Sequence, residues 1–436
     1  MTPFSHMLYR QARAFPVTHV NLVFPHSGAC QDPADRQGLS LLTLKMLLKG
    51  AGGMPSGEFN RAMERLGASM QVNLSSDTLS LRLVTLTASL DQTLALFLTA
   101  LTRPNMEEEA FRQLRQEALS NWIAEREENK RTRVRDVYLS AQYGQGPLAY
   151  GTDGTRQGLE AIRVEDCRRR HQEMLAGSRP LLAVLSDLTQ EEIEARVAAR
   201  FSFPTPGAPA PYPWDTFRPP QPNGRQAVVI ADPETQTEEL MAGFFSVHEA
   251  DPRWHVHRLV QLIFGGDMNS RLFRVIRGER GYSYGASCWY EAGRGRAPRN
   301  RPAPFTLYTF PSVEHTPQAL PLLVGLYEEL VEKGVTDEEL SRAKSALIHS
   351  HAFLMDTPQK QLALDVDRVL YGINPDPPEE NQRKLESVTP AEVLSTLRES
   401  HFPGALRLVM LGNPDRLAPL ARAVPGMDSV EVVQYP

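Results

Sequence analysis

Residues 204–224 hold eight prolines in two runs, Pro204-Thr-Pro-Gly-Ala-Pro-Ala-Pro-Tyr-Pro213 and Arg218-Pro-Pro-Gln-Pro-Asn-Gly224. Each proline fixes φ and removes a backbone donor, so this stretch can be neither helix nor inner strand. It reads as a semi-rigid linker, and it divides the 436-residue chain almost in half. A chain of this length cannot close around one ordinary core. Two domains are therefore expected, at 1–203 and 225–436.

The two halves repeat one grammar. In the first, an apolar helical run at 39–49 ends at Gly50, Gly52 and Gly53 and is followed by Ser56-Gly-Glu-Phe-Asn-Arg-Ala-Met-Glu-Arg-Leu-Gly67. In the second, a run at 257–264 ends at Gly265-Gly266 and is followed by Ser270-Arg-Leu-Phe-Arg-Val-Ile-Arg-Gly-Glu-Arg-Gly281. Phe59 to Gly67 and Phe273 to Gly281 are both eight residues. Strand patterns come next, at 69–74 and 79–86 and again at 283–290 and 304–310. Amphipathic helices are expected over 90–101 and 318–331, then acid-started ones from 106 and 336, where Thr336 and Glu339 form a capping box. Apolar strands at 181–185 and 406–410 close each half, seventeen residues after the starts of matching helices at Val164 and Thr389. Matches kept in one order predict two homologous α+β domains, each an antiparallel sheet with helices packed on one face.

Composition excludes more than it assigns. No apolar run approaches the roughly 18 residues of a membrane-spanning helix, and residues 1–15 lack the pattern of a signal peptide. Cys30, Cys167 and Cys288 are an odd number without CxxC spacing, which fits a reducing compartment and a cytoplasmic location. Net charge is −5 with no long block of either sign. The arginine-rich stretch 294–301 reads as a solvated loop, since no stacking aromatics accompany it. Neither a nucleic acid nor a membrane is expected as partner.

Duplicated halves joined in this way resemble the pitrilysin/insulysin family, which includes the mitochondrial processing peptidase. The resemblance runs over nearly the whole chain. It is strongest at Phe264-Gly-Gly-Asp-Met-Asn-Ser-Arg-Leu-Phe-Arg-Val-Ile-Arg-Gly-Glu-Arg-Gly-Tyr-Ser-Tyr284, which is similar to a segment of the family's C-terminal half. Active members carry His-x-x-Glu-His on the first helix of the N-terminal half. Two imidazoles four residues apart share one helix face and hold zinc, and the Glu serves as general base. A second Glu about 76 residues downstream completes the ligands. In Gly38-Leu-Ser-Leu-Leu-Thr-Leu-Lys-Met-Leu-Leu-Lys-Gly50 the histidine positions fall on Leu41 and Lys45, the base on Leu44, and the downstream ligand on Asn121. Leucine cannot bind zinc, a protonated lysine repels it, and an amide oxygen is a poor ligand for it. No displaced motif exists among the eleven histidines, of which no two are four apart; His255/His257 and His349/His351 read as surface or capping residues on diverging faces. No zinc is expected in this chain.

The resemblance implies a role beside a partner. In two-chain members a zinc-bearing subunit is completed by a metal-free one of the same fold, whose C-terminal domain presents an Arg/Tyr pair. Arg277 and Tyr284 match that pair, with Tyr282 as a nearby alternative to Tyr284. A guanidinium can donate to a substrate carbonyl, and a phenol can donate to the oxyanion of a tetrahedral intermediate. Gly265 and Gly266 are expected to allow a tight turn, with Asn269 or Ser270 capping the Arg277 helix. The expected function is that of the non-catalytic subunit of a heterodimeric zinc endopeptidase, with a homologous zinc-bearing partner and a peptide substrate. Gly265-Gly-Asp-Met-Asn269 is too short to imply presequence recognition. Two other readings stay open: a structural scaffold like the core subunits of a respiratory complex, and a peptide-binding protein that does not cleave.

Overall fold

The computed structural model describes residues 3–146, 148–177, 179–204, 211–294 and 298–435, so residues 205–210 of the first proline run and 295–297 of the basic stretch lie outside the described residues. Two compact units form, each discontinuous in sequence. One comprises 1–124, 150–216 and 355–374; the other comprises 125–149, 217–354 and 375–436.

In the first unit the strands are β1 (Met7–Gln11), β2 (Val17–Pro25), a short ribbon of β3 (Gly50–Ala51) and β4 (Met54–Pro55), β5 (Ser69–Leu74), β6 (Thr78–Leu86) and β7 (Leu181–Ser186). In the second they are β8 (Arg225–Ala231), β9 (Glu239–Phe245), β10 (Ser283–Tyr290), β11 (Pro304–Pro311), β12 (Arg407–Gly412) and β13 (Met427–Val433). The sheet orders are β1-β7-β2-β6-β5 and β10-β11-β9-β12-β8-β13. Reading the second from β8 outward, β8, β12, β9, β11 and β10 take the places of β1, β7, β2, β6 and β5. Strand directions agree at every step, with β1/β7 and β8/β12 parallel and the other matched pairs antiparallel. The duplication read from local spacing is thus a duplication of topology.

The α+β class holds, with two refinements. The sheets are mixed, because β7 and β12 return through long helical crossovers and can enter parallel to the first strand, which a hairpin cannot do. Helices also cover part of the second face of each sheet. Along β7, Leu182 and Val184 point into the main core with Leu22 and Phe24, while Leu181, Ala183 and Leu185 point to the opposite side. There they meet Leu362, Val366, Val369 and Leu370 of the helix Pro358–Tyr371. The corresponding face of the second sheet receives the helix Lys130–Tyr143: the Tyr138 hydroxyl lies 3.1 Å from Thr306 Oγ1, and Gln142 Nε2 donates to the Gly243 carbonyl at 2.8 Å. A Cβ at Gly243 would overlap that Tyr138 hydroxyl, so the close crossing needs glycine. Each half of the sequence therefore lends one helix to the unit built mainly by the other half.

Candidate functional site

The helix Leu39–Met46 is fully formed and well anchored in the first unit. Gly38 begins it with φ of 102°, a left-handed conformation suited to glycine. The Asp32 carboxylate caps its start, accepting from Gly38 N at 3.1 Å, Ser40 N at 3.0 Å and the Ser40 hydroxyl at 2.5 Å. Arg170 braces the same corner, donating to Ser40 Oγ at 3.1 Å and to the Ser27 carbonyl at 2.8 Å. Burial pushes the Asp32 carboxyl up to about 6 despite these donors. Leu44 is buried in the core, and Leu41 and Lys45 share the half-buried face one turn apart. Asn121 is exposed on the helix Glu108–Glu128. At the ligand positions that the family resemblance marks, this chain has a leucine, a lysine and an amide. Among the described residues no group of three or more His, Cys, Asp and Glu is arranged to hold a metal. The residues present do not fit zinc.

In the second unit Arg277 lies in a π-helical turn, Phe273–Glu279, and Tyr284 in β10. Between them the chain reverses through Gly281, at φ of 66°, with Gly281 N donating to Arg277 O and Tyr282 N to Ile276 O. The Arg277 guanidinium rests 4.8 Å from the centre of the Phe273 ring, and the side chain is exposed. Tyr284 is 81% exposed, which is rare for so large a ring. The cause is local. Ser283 is buried, so the next residue of the edge strand, Tyr284, points outward; the pairing of β10 with β11 then shifts between Ser283 and Ala286, a bulge that returns Ala286 to the buried side. Thr309 Oγ1 holds the bulge by donating to the Gly285 carbonyl at 2.9 Å. Tyr282 precedes the strand and is half-buried, stacked on His315 at 5.3 Å between ring centres. The two tyrosines thus differ in environment, Tyr284 exposed and Tyr282 half-buried.

The supporting residues act differently from their sequence-based roles. Gly265 lets the preceding helix press against β10, since a Cβ there would overlap the backbone nitrogen of Cys288. Asp267, not Asn269 or Ser270, organises the next turn. It accepts from Asn269 N at 2.9 Å and from Arg342 at 2.9 Å, and the Ser270 hydroxyl donates to its carbonyl.

Sequence reasoning misplaced two histidines and missed a polar chain. His349 is exposed and His255 half-buried, but His257 and His351 are buried rather than surface residues. His257 Nδ1 lies 3.1 Å from the Tyr290 hydroxyl, which lies 3.0 Å from His401 Nε2, whose Nδ1 lies 3.0 Å from the Tyr327 hydroxyl. Burial pushes His257 down to about 4 and His401 well below the usual imidazole range. Nothing in sequence spacing links residues 257, 290, 327 and 401; only the fold brings them together.

Comparison with known proteins bears on the fold and the family. Residues 9–156 match the family model described as insulinase (peptidase family M16), and residues 161–347 match the one described as the peptidase M16 inactive domain. The non-peptidase homolog YmxG of Helicobacter pylori is 20% identical over 84% of this chain and 82% of its own length. An uncharacterized zinc protease of Streptomyces coelicolor is 21% identical over 86% of this chain and 81% of its own. Among solved structures, a peptidase M16 inactive domain from Pseudomonas fluorescens superposes with a TM-score of 0.79 at 21% identity, covering 93% of this chain and 95% of that one. A chain of complex III2 from Candida albicans superposes with a TM-score of 0.75 at 13% identity, covering 96% of each. Identity does not separate the relative named a non-peptidase from the one named a protease. No helix among the described residues is long and apolar enough to cross a membrane.

Proposed function

The chain belongs to the insulinase (M16) peptidase family, and from that premise we propose that it is the non-catalytic subunit of a two-chain zinc endopeptidase. The observation that carries this is the exposed pair in the second unit. Tyr284 is 81% exposed and Arg277, seven residues before it, is exposed as well, so both side chains are open to a ligand. In this reading Arg277 donates to a main-chain carbonyl of the substrate, and Tyr284 donates to the oxyanion formed at the scissile carbonyl. The metal and the general base come from a homologous partner, because positions 41, 44, 45 and 121 of this chain supply neither. Substrate is an extended peptide; β5 and β10 are sheet-edge strands with no charged residue, the kind of edge that can accept one more strand.

The test is reconstitution. The chain alone is expected to cleave no peptide, and to restore activity when mixed with a zinc-bearing relative of the same fold. Changing Tyr284→Phe in the mixture is expected to lower kcat about 100-fold, the scale of losing one oxyanion donor, and Arg277→Ala to raise KM. A mixture equally active with both substitutions would sink the proposal. A scaffold role is the second reading, favoured by the likeness to a chain of complex III2. Stable co-purification with a non-peptidase assembly would select it.

A further inference from the structure

The two sheets differ in one respect, and the difference lies at an edge. The second sheet has six strands and the first five: β13 pairs in parallel with β8, while the matching strand, β1, is left outermost. The paths diverge late. The helix Gln190–Arg196 follows β7 as the helix Pro414–Arg422 follows β12. After the second of these the chain returns as β13. After the first it packs Phe201 and Phe203 on Phe4, with ring centres 5.3 and 6.1 Å apart, and residues 201–204 form no strand.

The backbone of β1 is therefore half used. Ala12 N donates to Ser186 O at 2.8 Å, and Leu182 N donates to His6 O at 2.9 Å. Successive residues of a strand present their N–H and C=O to opposite edges, so Leu8, Arg10 and Ala12 face β7 while Met7, Tyr9 and Gln11 face outward. The outward N–H and C=O groups of those three have no hydrogen-bond partner among the described residues. Nor is this edge defended. Sheet edges are commonly blunted by charge, proline or a bulge. The edge strand β13 has an irregular step between Met427 and Ser429, and its Asp428 and Glu431 are exposed. By contrast β1, Met7-Leu-Tyr-Arg-Gln11, pairs in unbroken register and holds no proline. Its one charge, Arg10, is tied back to Asp365 at 2.7 Å. Met7 and Tyr9 lie partly buried against the main core of the first unit, as Val430 lies against that of the second.

We propose that the outer edge of β1 docks an extended segment of another protein chain, which enters parallel to β1 as a sixth strand. The segment has the character of β13: a few residues long, β-branched at alternate positions as Val430 and Val432 are, with one row of side chains over Met7 and Tyr9. A second copy of this chain does not suit, because a two-fold pair would set β1 against β1 antiparallel. Arg277 and Tyr284 take no part, so this docking edge stands or falls apart from the peptidase reading.

The probe is a synthetic peptide with the sequence of residues 425–434, Pro-Gly-Met-Asp-Ser-Val-Glu-Val-Val-Gln, added to the full chain. Hydrogen exchange read by mass spectrometry is expected to show protection gained over residues 4–12 and none over β5 or β10. A photoreactive group at the peptide's N-terminus should attach near Met7, and one at its C-terminus near Gln11. Two peptides N-methylated at alternate residues separate a ladder from loose apolar contact. One should bind about tenfold more weakly and the other within about twofold of the parent, since only every second N–H faces the sheet. Tyr9→Pro removes an outward N–H and leaves the β7 ladder its donors, and should also weaken binding about tenfold. The methylated peptides leave the protein unaltered, so the test holds even if that variant does not fold. No protection of residues 4–12 at about 1 mM peptide, protection of β5 or β10 instead, or cross-links in the reverse order would overturn the proposal. So would a dimer of the chain alone that Tyr9→Pro dissolves, because a second copy would then fill the edge.

Discussion

Acidification probes the chain of His257, Tyr290, His401 and Tyr327, and the effect can be worked out from the structure. An imidazole in an unfolded chain titrates near 6.5. Burial pushes His257 down to about 4 in the folded unit, because no carboxylate replaces the water it has lost; Asp251 acts on it only through space. Between those two values the unfolded chain binds a proton that the folded chain refuses. The stability His257 contributes is therefore whole above about pH 6.5 and lost as pH falls toward 4. The full loss is about 3 kcal/mol, with about 2 kcal/mol gone by pH 5. His401 acts in the same direction. Asp32 in the first unit, pushed up to about 6, has the opposite sign: its folded form takes a proton before the unfolded chain does, which steadies that unit as pH falls from 6 to 4. A global melt would blur the two, so the assay is hydrogen exchange read by mass spectrometry and corrected for intrinsic rate. Peptides from β10 and β11 should lose protection between pH 7 and pH 5. With His257→Gln and His401→Gln together, the loss should largely vanish. Unchanged protection of β10 and β11 at pH 5, or a loss that survives the double substitution, would refute the reasoning.

Three further outcomes are expected. Gly265→Ala should cost about 1–3 kcal/mol by forcing the helix away from Cys288, read as a lower denaturation midpoint at unchanged slope. Leu362→Ala should cost about 2–3 kcal/mol, and the protection lost should be that of β1 and β7, not of the second sheet, although residue 362 belongs to the second half of the sequence. Replacing Leu41→His, Lys45→His and Asn121→Glu together should create a zinc site without hydrolysis, since Leu44 leaves it no general base. Cobalt substitution would show tetrahedral visible absorption, and its absence would mean that the three positions do not converge.

The sequence by itself determined the periodic and the local. Alternation placed β5 and β10 at their observed bounds, and the Thr336/Glu339 capping box is formed as read. Repeated spacing revealed two copies of one domain plan. Periodicity states that a face is buried, but not against what. The helices Lys130–Tyr143 and Pro358–Tyr371 each show an apolar side, yet only the fold assigns each to the sheet built by the other half. Tyr284 and Tyr282 are both tyrosines two residues apart; one points outward from the edge strand β10, and the other, ahead of the strand, stacks on His315, a contact that only the fold makes. Lys130 and Arg131 meet Tyr308 across more than 170 residues, and His257 meets His401 across more than 140. Such contacts depend on how sheets and helices stack, which no local pattern encodes.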